Sequence, residues 1–116
     1  MNTFTADEML AVARHVYPKM YTSINDAGDG VIFSANGAGV WADFSPSLTG
    51  TDREQADACQ CIVAAFSSPG VFECKIDQHG KWFFWYWGAN GCAYTTKPGD
   101  LLSASISAIL SHVGEK

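Results

Sequence analysis

The pattern of hydrophobic and polar positions along the chain predicts three helices and five strands. Apolar residues recur at helical spacing behind Thr5, again over about residues 52–67, and again from about residue 100 onward. Short runs of strand composition, bounded by glycine, asparagine and aspartate, lie between these segments. The predicted order is helix, two strands, helix, three strands, helix (α-β-β-α-β-β-β-α). This order indicates an α+β fold with one mostly antiparallel five-stranded sheet, in a single layered domain over residues 1–116.

The most hydrophobic run is the predicted strand 81–88, in which Trp82–Trp87 are all aromatic. Alternate side chains of a strand point to opposite faces, so the six rings form two trios. One trio is Trp82, Phe84 and Tyr86, and the other is Phe83, Trp85 and Trp87. Because neither face is polar, we expect a central strand that is covered on both faces. Two interpretations stay open: both trios belong to the core, or one of them lines a pocket or contacts a partner.

The first two helices each begin with a capping box, in which a threonine and a glutamate three positions later cap each other's backbone amides. The boxes are Thr5–Glu8 and Thr51–Glu54. The apolar stripe predicted for the second helix is Ala56, Cys59, Ile62, Val63 and Phe66. Cys61 points away from this stripe, since two residues turn a helix by roughly 200°.

The last helix combines an apolar stripe with a side rich in serine. The stripe is Leu102, Ile106, Ile109, Leu110 and Val113. The serines are Ser103, Ser105, Ser107 and Ser111. Exposed helix faces are normally charged, so a neutral, hydroxyl-rich face is unusual. It indicates either an ordinary exposed face or a surface for self-association with another chain.

Composition and charge narrow the classes of function. The 116 residues include 12 acidic and 7 basic side chains, for a net charge of −5. The basic residues are isolated from one another, which argues against direct binding of nucleic acid. No apolar run approaches the length of a membrane span, and the first eight residues do not resemble a signal peptide. The four cysteines are therefore expected to be reduced thiols in a cytoplasm.

No motif points to catalysis, a metal or a cofactor. The turn Asp26–Gly30 lacks the ligand spacing of an EF-hand, and the cysteines lack the usual zinc spacing. A cysteine nucleophile would need a histidine base, for which the pairs are Cys92 with His79 and Cys59 with His112. Nothing near either cysteine marks it as a nucleophile, so we expect a protein without enzymatic activity, cofactor or metal.

Two segments carry a resemblance to a known family. One is Phe44–Ser47 with the helix that follows it, and the other is Gly91–Pro98 with the terminal helix. Over about residues 44–113 the chain resembles the phage ABA-sandwich domain family of small phage and prophage proteins. The resemblance implies a helix–sheet–helix layering and a phage or prophage origin, and it brings no catalytic residue. The hairpin 31–44 and the long aromatic run depart from the family pattern.

These observations lead to the hypothesis of a small phage or mobile-element accessory protein in the cytoplasm of a bacterial host. It would bind and inhibit a host protein with a basic surface, for instance a defence component, as anti-CRISPR proteins do. The candidate partner-binding residues are Trp41, Asp26, Asp29, Asp52, Glu54, Asp57, Trp85 and Trp87. The alternatives are a small-molecule-binding module with a pocket beside the aromatic strand, and an enzyme with a cysteine–histidine pair.

Overall fold

The chain folds into α-helices and antiparallel β-strands that alternate in groups. A computed structural model describes residues 4–37, 39–67, 71–87 and 90–114, without the side chains of residues 72 and 113. In chain order the elements are α1 (Ala6–Val16), β1 (Tyr21–Ile24), β2 (Val31–Ser34), β3 (Ala42–Phe44), α2 (Asp52–Ser67), β4 (Val71–Ile76), β5 (Trp82–Trp87), β6 (Ala93–Thr95) and α3 (Leu101–Gly114). Among the described residues, no helix is long and apolar enough to cross a membrane. The predicted end of the aromatic strand at Gly88 and the side chain of Val113 lie outside the described residues.

The strands form two separate three-stranded antiparallel sheets, β1-β2-β3 and β4-β5-β6. The prediction of a single five-stranded sheet is therefore wrong, although the α+β class and the three helices are confirmed. Each sheet is a meander of consecutive strands, and α2 separates the two meanders along the chain. The sixth strand is β1, which pairs along its whole length with β2, from Tyr21 opposite Ser34 to Ile24 opposite Val31.

Helix α3 lies at the centre of the molecule. It contacts α1, α2 and β5, so it is covered from three directions. Ser103 and Ser105 are buried with the apolar residues of the helix. The Ser105 hydroxyl donates to the Leu101 carbonyl (2.7 Å), and Ser103 donates to Asp100 through both its amide and its hydroxyl (2.7 and 3.1 Å). Ser103 and Ser105 are thus part of an internal packing surface and are not available for the predicted self-association, whereas Ser107 and Ser111 are half-buried.

Helix α2 is rotated relative to the prediction. Its buried residues are Asp57, Ala58, Cys61 and Ala65, whereas Cys59 is exposed and the exposed fractions of Val63 and Phe66 are 59% and 55%. The predicted inward stripe is therefore wrong for these three residues and for Ala56, which is also exposed. Small side chains on α2 and on α3 allow the two helices to pack closely, and the bulkier residues of α2 are left on the outside.

The aromatic strand β5 is the middle strand of its sheet, as predicted, and its two faces are buried to different extents. Phe84 is fully buried, and Trp82 packs against the same core. The alternate trio Phe83, Trp85 and Trp87, which we call the outer aromatic face, does not belong to that core. The helices that contact this sheet, α2 and α3, meet β4 and β5 on the side of Phe84, so one side of the sheet carries the core and the other carries the outer aromatic face.

The close packing of α2 can be tested with one substitution made at two positions. Ala65→Leu should lower the free energy of unfolding by about 1–3 kcal/mol, because extra methylenes in a packed interior force side chains out of their rotamers. Ala56→Leu makes the same change on the exposed side of the same helix and should stay within about 0.5 kcal/mol of wild type. Urea unfolding followed by circular dichroism measures both values. Equal losses in the two variants would contradict the orientation of α2.

Candidate binding sites

The structure divides the predicted partner-binding residues among several places. Asp29 and Glu54 line one cavity. Trp85 and Trp87 lie on the outer aromatic face. The remaining four residues are Trp41 just before β3, Asp26 in the β1–β2 turn, Asp52 in the first turn of α2, and Asp57 in the interior. These residues therefore do not form one surface.

The cavity lies between the first sheet and the helices and has a volume of about 760 Å³. Its apolar lining comes from Met9 of α1, Val31 and Phe44 of the first sheet, and Ile106 of α3. Its charged lining consists of Asp29, Asp43, Glu54 and Arg53. The described lining thus includes three carboxylates and one guanidinium, and we call this site the acidic cavity. None of the described residues that line it belongs to β4, β5 or β6, so it differs from the pocket that was expected beside the aromatic strand.

Local structure determines how each acidic side chain of the cavity is held. The Asn25 side chain donates to Asp29 Oδ1 (3.0 Å), and the Asp29 amide donates back to Asn25 Oδ1 (3.2 Å). Glu54 completes the predicted capping box by accepting from the Thr51 amide (2.8 Å). Hydrogen bonds from Thr51 hold the pKa of Glu54 below its ordinary value. Local hydrogen bonds therefore hold both carboxylates in the lining of the cavity.

The sequence interpretation did not include Asp43, the third acidic residue of the cavity. It lies on β3 opposite Ile32, beside the cavity residue Phe44. A charged residue between two apolar positions of a strand is an ordinary sign of a solvent-facing side chain. Asp43 lines the same cavity as the turn residue Asp29 because β3 pairs with β2, a pairing that the local sequence does not reveal.

Asp57 is a buried carboxyl group, with an exposed fraction of 1%. The Tyr17 hydroxyl donates to its Oδ1 (2.8 Å), while its Oδ2 has no hydrogen-bond partner among the described residues. Burial raises the pKa of Asp57 above the ordinary range, and the donation from Tyr17 opposes this effect only in part. The expectation that Asp57 belongs to an exposed acidic surface is wrong.

Tyr17 links this carboxyl group to the aromatic core of the first sheet. Its ring stacks on Phe33 (5.1 Å between ring centroids), and the Arg53 guanidinium lies 5.4 Å from the centroid of the Phe33 ring. Burial and the neighbouring Asp57 raise the pKa of Tyr17, so the phenol stays protonated and remains a donor. The Tyr17–Asp57 pair joins α1 to α2 across 40 positions of sequence.

The cysteines do not assemble into a metal site. Cys61 is buried, and burial raises the pKa of its thiol to about 12, which keeps it in the unreactive thiol form. Cys59 and Cys92 are exposed. His112, the base proposed for Cys59, contacts the ring of His15 (5.4 Å between centroids). In the part of the chain that the structure describes, no three or more His, Cys, Asp or Glu residues are grouped closely enough to hold a metal ion.

The outer aromatic face combines one exposed and two half-buried rings with a balanced pair of charges. The exposed fraction of Trp87 is 53%, and Phe83 and Trp85 are half-buried. On the neighbouring strand the Lys75 ammonium lies 5.7 Å from the ring centroid of Trp85 and 3.5 Å from the Glu73 carboxylate. A row of aromatic rings with one ion pair can contact an apolar or weakly polar partner without leaving a net charge unpaired.

No protein-family model, curated protein or solved structure matches this chain. The resemblance to the phage ABA-sandwich domain family therefore stays a prediction.

The buried carboxyl group predicts a specific dependence of stability on pH. Because its pKa is raised, the folded state binds this proton more tightly than the unfolded state does. The resulting stability is fully present below the ordinary aspartate pKa of about 3.9 and is lost as the pH rises through the raised pKa. Asp57→Asn has no proton to lose. Its free energy of unfolding, measured relative to wild type, should therefore increase between about pH 4 and pH 7.

Asp52→Asn is the matched control, since it makes the same change at an exposed position of the same helix. Its stability relative to wild type should not increase over that range, because an acidic residue near a helix N-terminus is favourable when ionised. Urea unfolding curves at a series of pH values give both differences. If the difference in unfolding free energy between Asp57→Asn and wild type did not change with pH, the folded state would not disfavour the ionised form of Asp57, and the prediction would be wrong.

Proposed function

We propose that this protein is a non-enzymatic binding module that recognises a partner protein through the outer aromatic face. The observation that carries the proposal is the exposure of Trp87 beside Phe83 and Trp85, on a side of the sheet that is not part of the core. Tryptophan and tyrosine are enriched among the residues that dominate the energy of protein interfaces. A strand that has such rings outside the core is well suited to contact a partner.

Charge gives a second line of support. The molecule carries a net charge of −5, and its acidic cavity gathers Asp29, Asp43 and Glu54 at one place. Such a distribution speeds the approach of a basic partner and makes the association rate sensitive to salt. With the resemblance to phage proteins, it favours a phage or mobile-element protein that binds and inhibits a host protein in the bacterial cytoplasm, for instance a CRISPR effector.

The experiment is a quantitative pull-down from a bacterial host lysate with three baits: wild type, Trp87→Ala and Trp41→Ala. Trp41 is also a partly exposed tryptophan (37%) but lies outside the second sheet, so it is the matched control. We expect wild type and Trp41→Ala to retain the same host protein. Trp87→Ala should retain at least tenfold less of it, which corresponds to a loss of about 1.4 kcal/mol or more in binding free energy. Equal retention by all three baits would exclude the outer aromatic face.

Inhibition requires its own measurement. If the partner is a CRISPR effector, expression of the wild-type chain in a strain with that effector should restore plaque formation by a targeted phage. Trp87→Ala should restore it much less than Trp41→Ala does. Capture of an effector without restored plaques would support binding and contradict inhibition.

A second candidate function is the binding of a small molecule, and the acidic cavity is the observation that favours it. Its volume of about 760 Å³ falls within the range of about 300–1,000 Å³ typical of ligand pockets. Apolar walls with three carboxylates and one guanidinium favour a small organic cation with an apolar body.

Isothermal titration with choline and with its neutral isostere 3,3-dimethylbutanol tests this candidate. Choline should bind more tightly, and Asp43→Asn should weaken choline by up to about fivefold, because a charge contact at a partly exposed site contributes up to about 1 kcal/mol. The control Asp26→Asn changes an exposed acidic residue that does not line the cavity, and should leave the affinity unchanged. Equal binding of the two probes, or no binding of either, would contradict the candidate.

A further inference from the structure

The outward side of α2 carries a row of exposed apolar residues, of which Phe66 also contacts the Phe84 ring of β5 (5.3 Å between ring centroids). Four of its residues, Ala56, Cys59, Val63 and Phe66, are exposed, and the last two have exposed fractions of 59% and 55%. The helix packs on α3, α1 and β4 through its opposite side, which carries the buried Ala58, Cys61 and Ala65. We call the four exposed residues the α2 seam.

The spacing of the α2 seam is that of a helix–helix interface. Successive members are separated by three, four and three positions, which is the a/d spacing that places side chains between those of a second helix. Asp52, four positions before Ala56, continues the same row at the beginning of the helix. The seam therefore fits an α-helix better than it fits an extended segment.

The charges around the α2 seam indicate which helix fits. Between Gln55 and Ser67 the only charged residue is Asp57, which is buried. Such a surface offers a basic partner nothing to pair with. It also carries no like charges that would repel each other across a two-fold axis, although two copies of the whole chain, each with a charge of −5, repel elsewhere. A second copy of α2 supplies the complementary neutral, apolar row.

We propose that the α2 seam is a self-association surface, on which α2 of a second copy of this chain packs antiparallel about a two-fold axis. Such an interface is isologous, so each residue of the seam meets the same row of the other copy. The antiparallel arrangement places Asp52 at the N-terminal end of one helix near the C-terminal end of the other, away from the second Asp52. This self-association uses a surface separate from both the outer aromatic face and the acidic cavity.

The proposed axis places the exposed Cys59 thiols close to each other. The midpoint of the seam falls near position 61, so the two Cys59 residues would be offset by about 6 Å along the helices, at a rise of 1.5 Å per residue. Packed helices are separated by about 8–10 Å. A short thiol-specific cross-linker can span that separation.

The first test compares two lysine substitutions on the outward side of α2 by sedimentation velocity. Wild type at roughly 100 µM should sediment mainly as a dimer, and the dimer fraction should rise with salt, because salt screens the repulsion between the acidic copies. Val63→Lys should be monomeric, and its melting temperature should equal that of wild type at a concentration low enough for wild type to be monomeric as well. Gln60→Lys, an exposed position beside the seam, makes the same gain of charge and should remain dimeric.

The second test is cross-linking of the full chain with a short bismaleimide. Wild type and Cys92→Ser should form a covalent dimer, whereas Cys59→Ser, which keeps the exposed Cys92, should not. Cross-linking that depends on Cys92, a wild type that stays monomeric at every salt concentration, or a dimeric Val63→Lys would each overturn the proposal.

Discussion

The close packing of α3 against three neighbouring elements is the constraint on which the rest of the fold depends. Its residues from Leu102 to Ile106 are all buried, so no side of this segment faces water. A helix can be enclosed in this way only if many of its side chains are small, and serine and alanine fill that role here. Each buried hydroxyl then needs an internal partner, which Ser103 finds in Asp100 and Ser105 in Leu101.

The same constraint explains the orientation of α2. A helix that approaches α3 closely must also present small residues, and α2 does so with Ala58, Cys61 and Ala65. Its larger apolar residues are consequently on the outside, where hydrophobicity alone would not put them. The apolar row of α2 is thus exposed because the opposite side of the helix has the small residues that close packing on α3 requires.

The sequence predicted local features well and predicted relative arrangement poorly. The three helices, the capping boxes at Thr5 and Thr51, and the antiparallel pairing around β5 follow from short-range patterns, and the structure contains all of them. The division of the strands into two sheets does not follow from short-range patterns, because it depends on how α2 packs between the two groups of strands. The stripe on α2 was predicted from hydrophobicity, whereas residue size decided which side faces α3.

For the candidate site residues too, properties that depend on neighbours in sequence could be predicted, and contacts between distant parts of the chain could not. The exposure of Trp87 could be raised as an alternative because an aromatic strand has two faces and only one has to meet the core. The pairing of Tyr17 with Asp57 could not be predicted, since 40 positions separate the two residues and neither has a local sign of its partner. The sequence places Asp57 among the acidic residues near the start of α2 and gives no sign that its side chain is buried.

The buried Asp57 bears on function because stability does not explain it. A carboxyl group that is removed from water, with one oxygen lacking a described partner, costs free energy that an apolar residue at the same place would not. Residues kept at such a cost are concentrated at functional sites, although structural networks also contain them. Asp57 lies directly after the helix start that carries Arg53 and Glu54, both of which line the acidic cavity. Asp57 also interacts electrostatically with Arg53, so its charge is linked to the lining of that cavity.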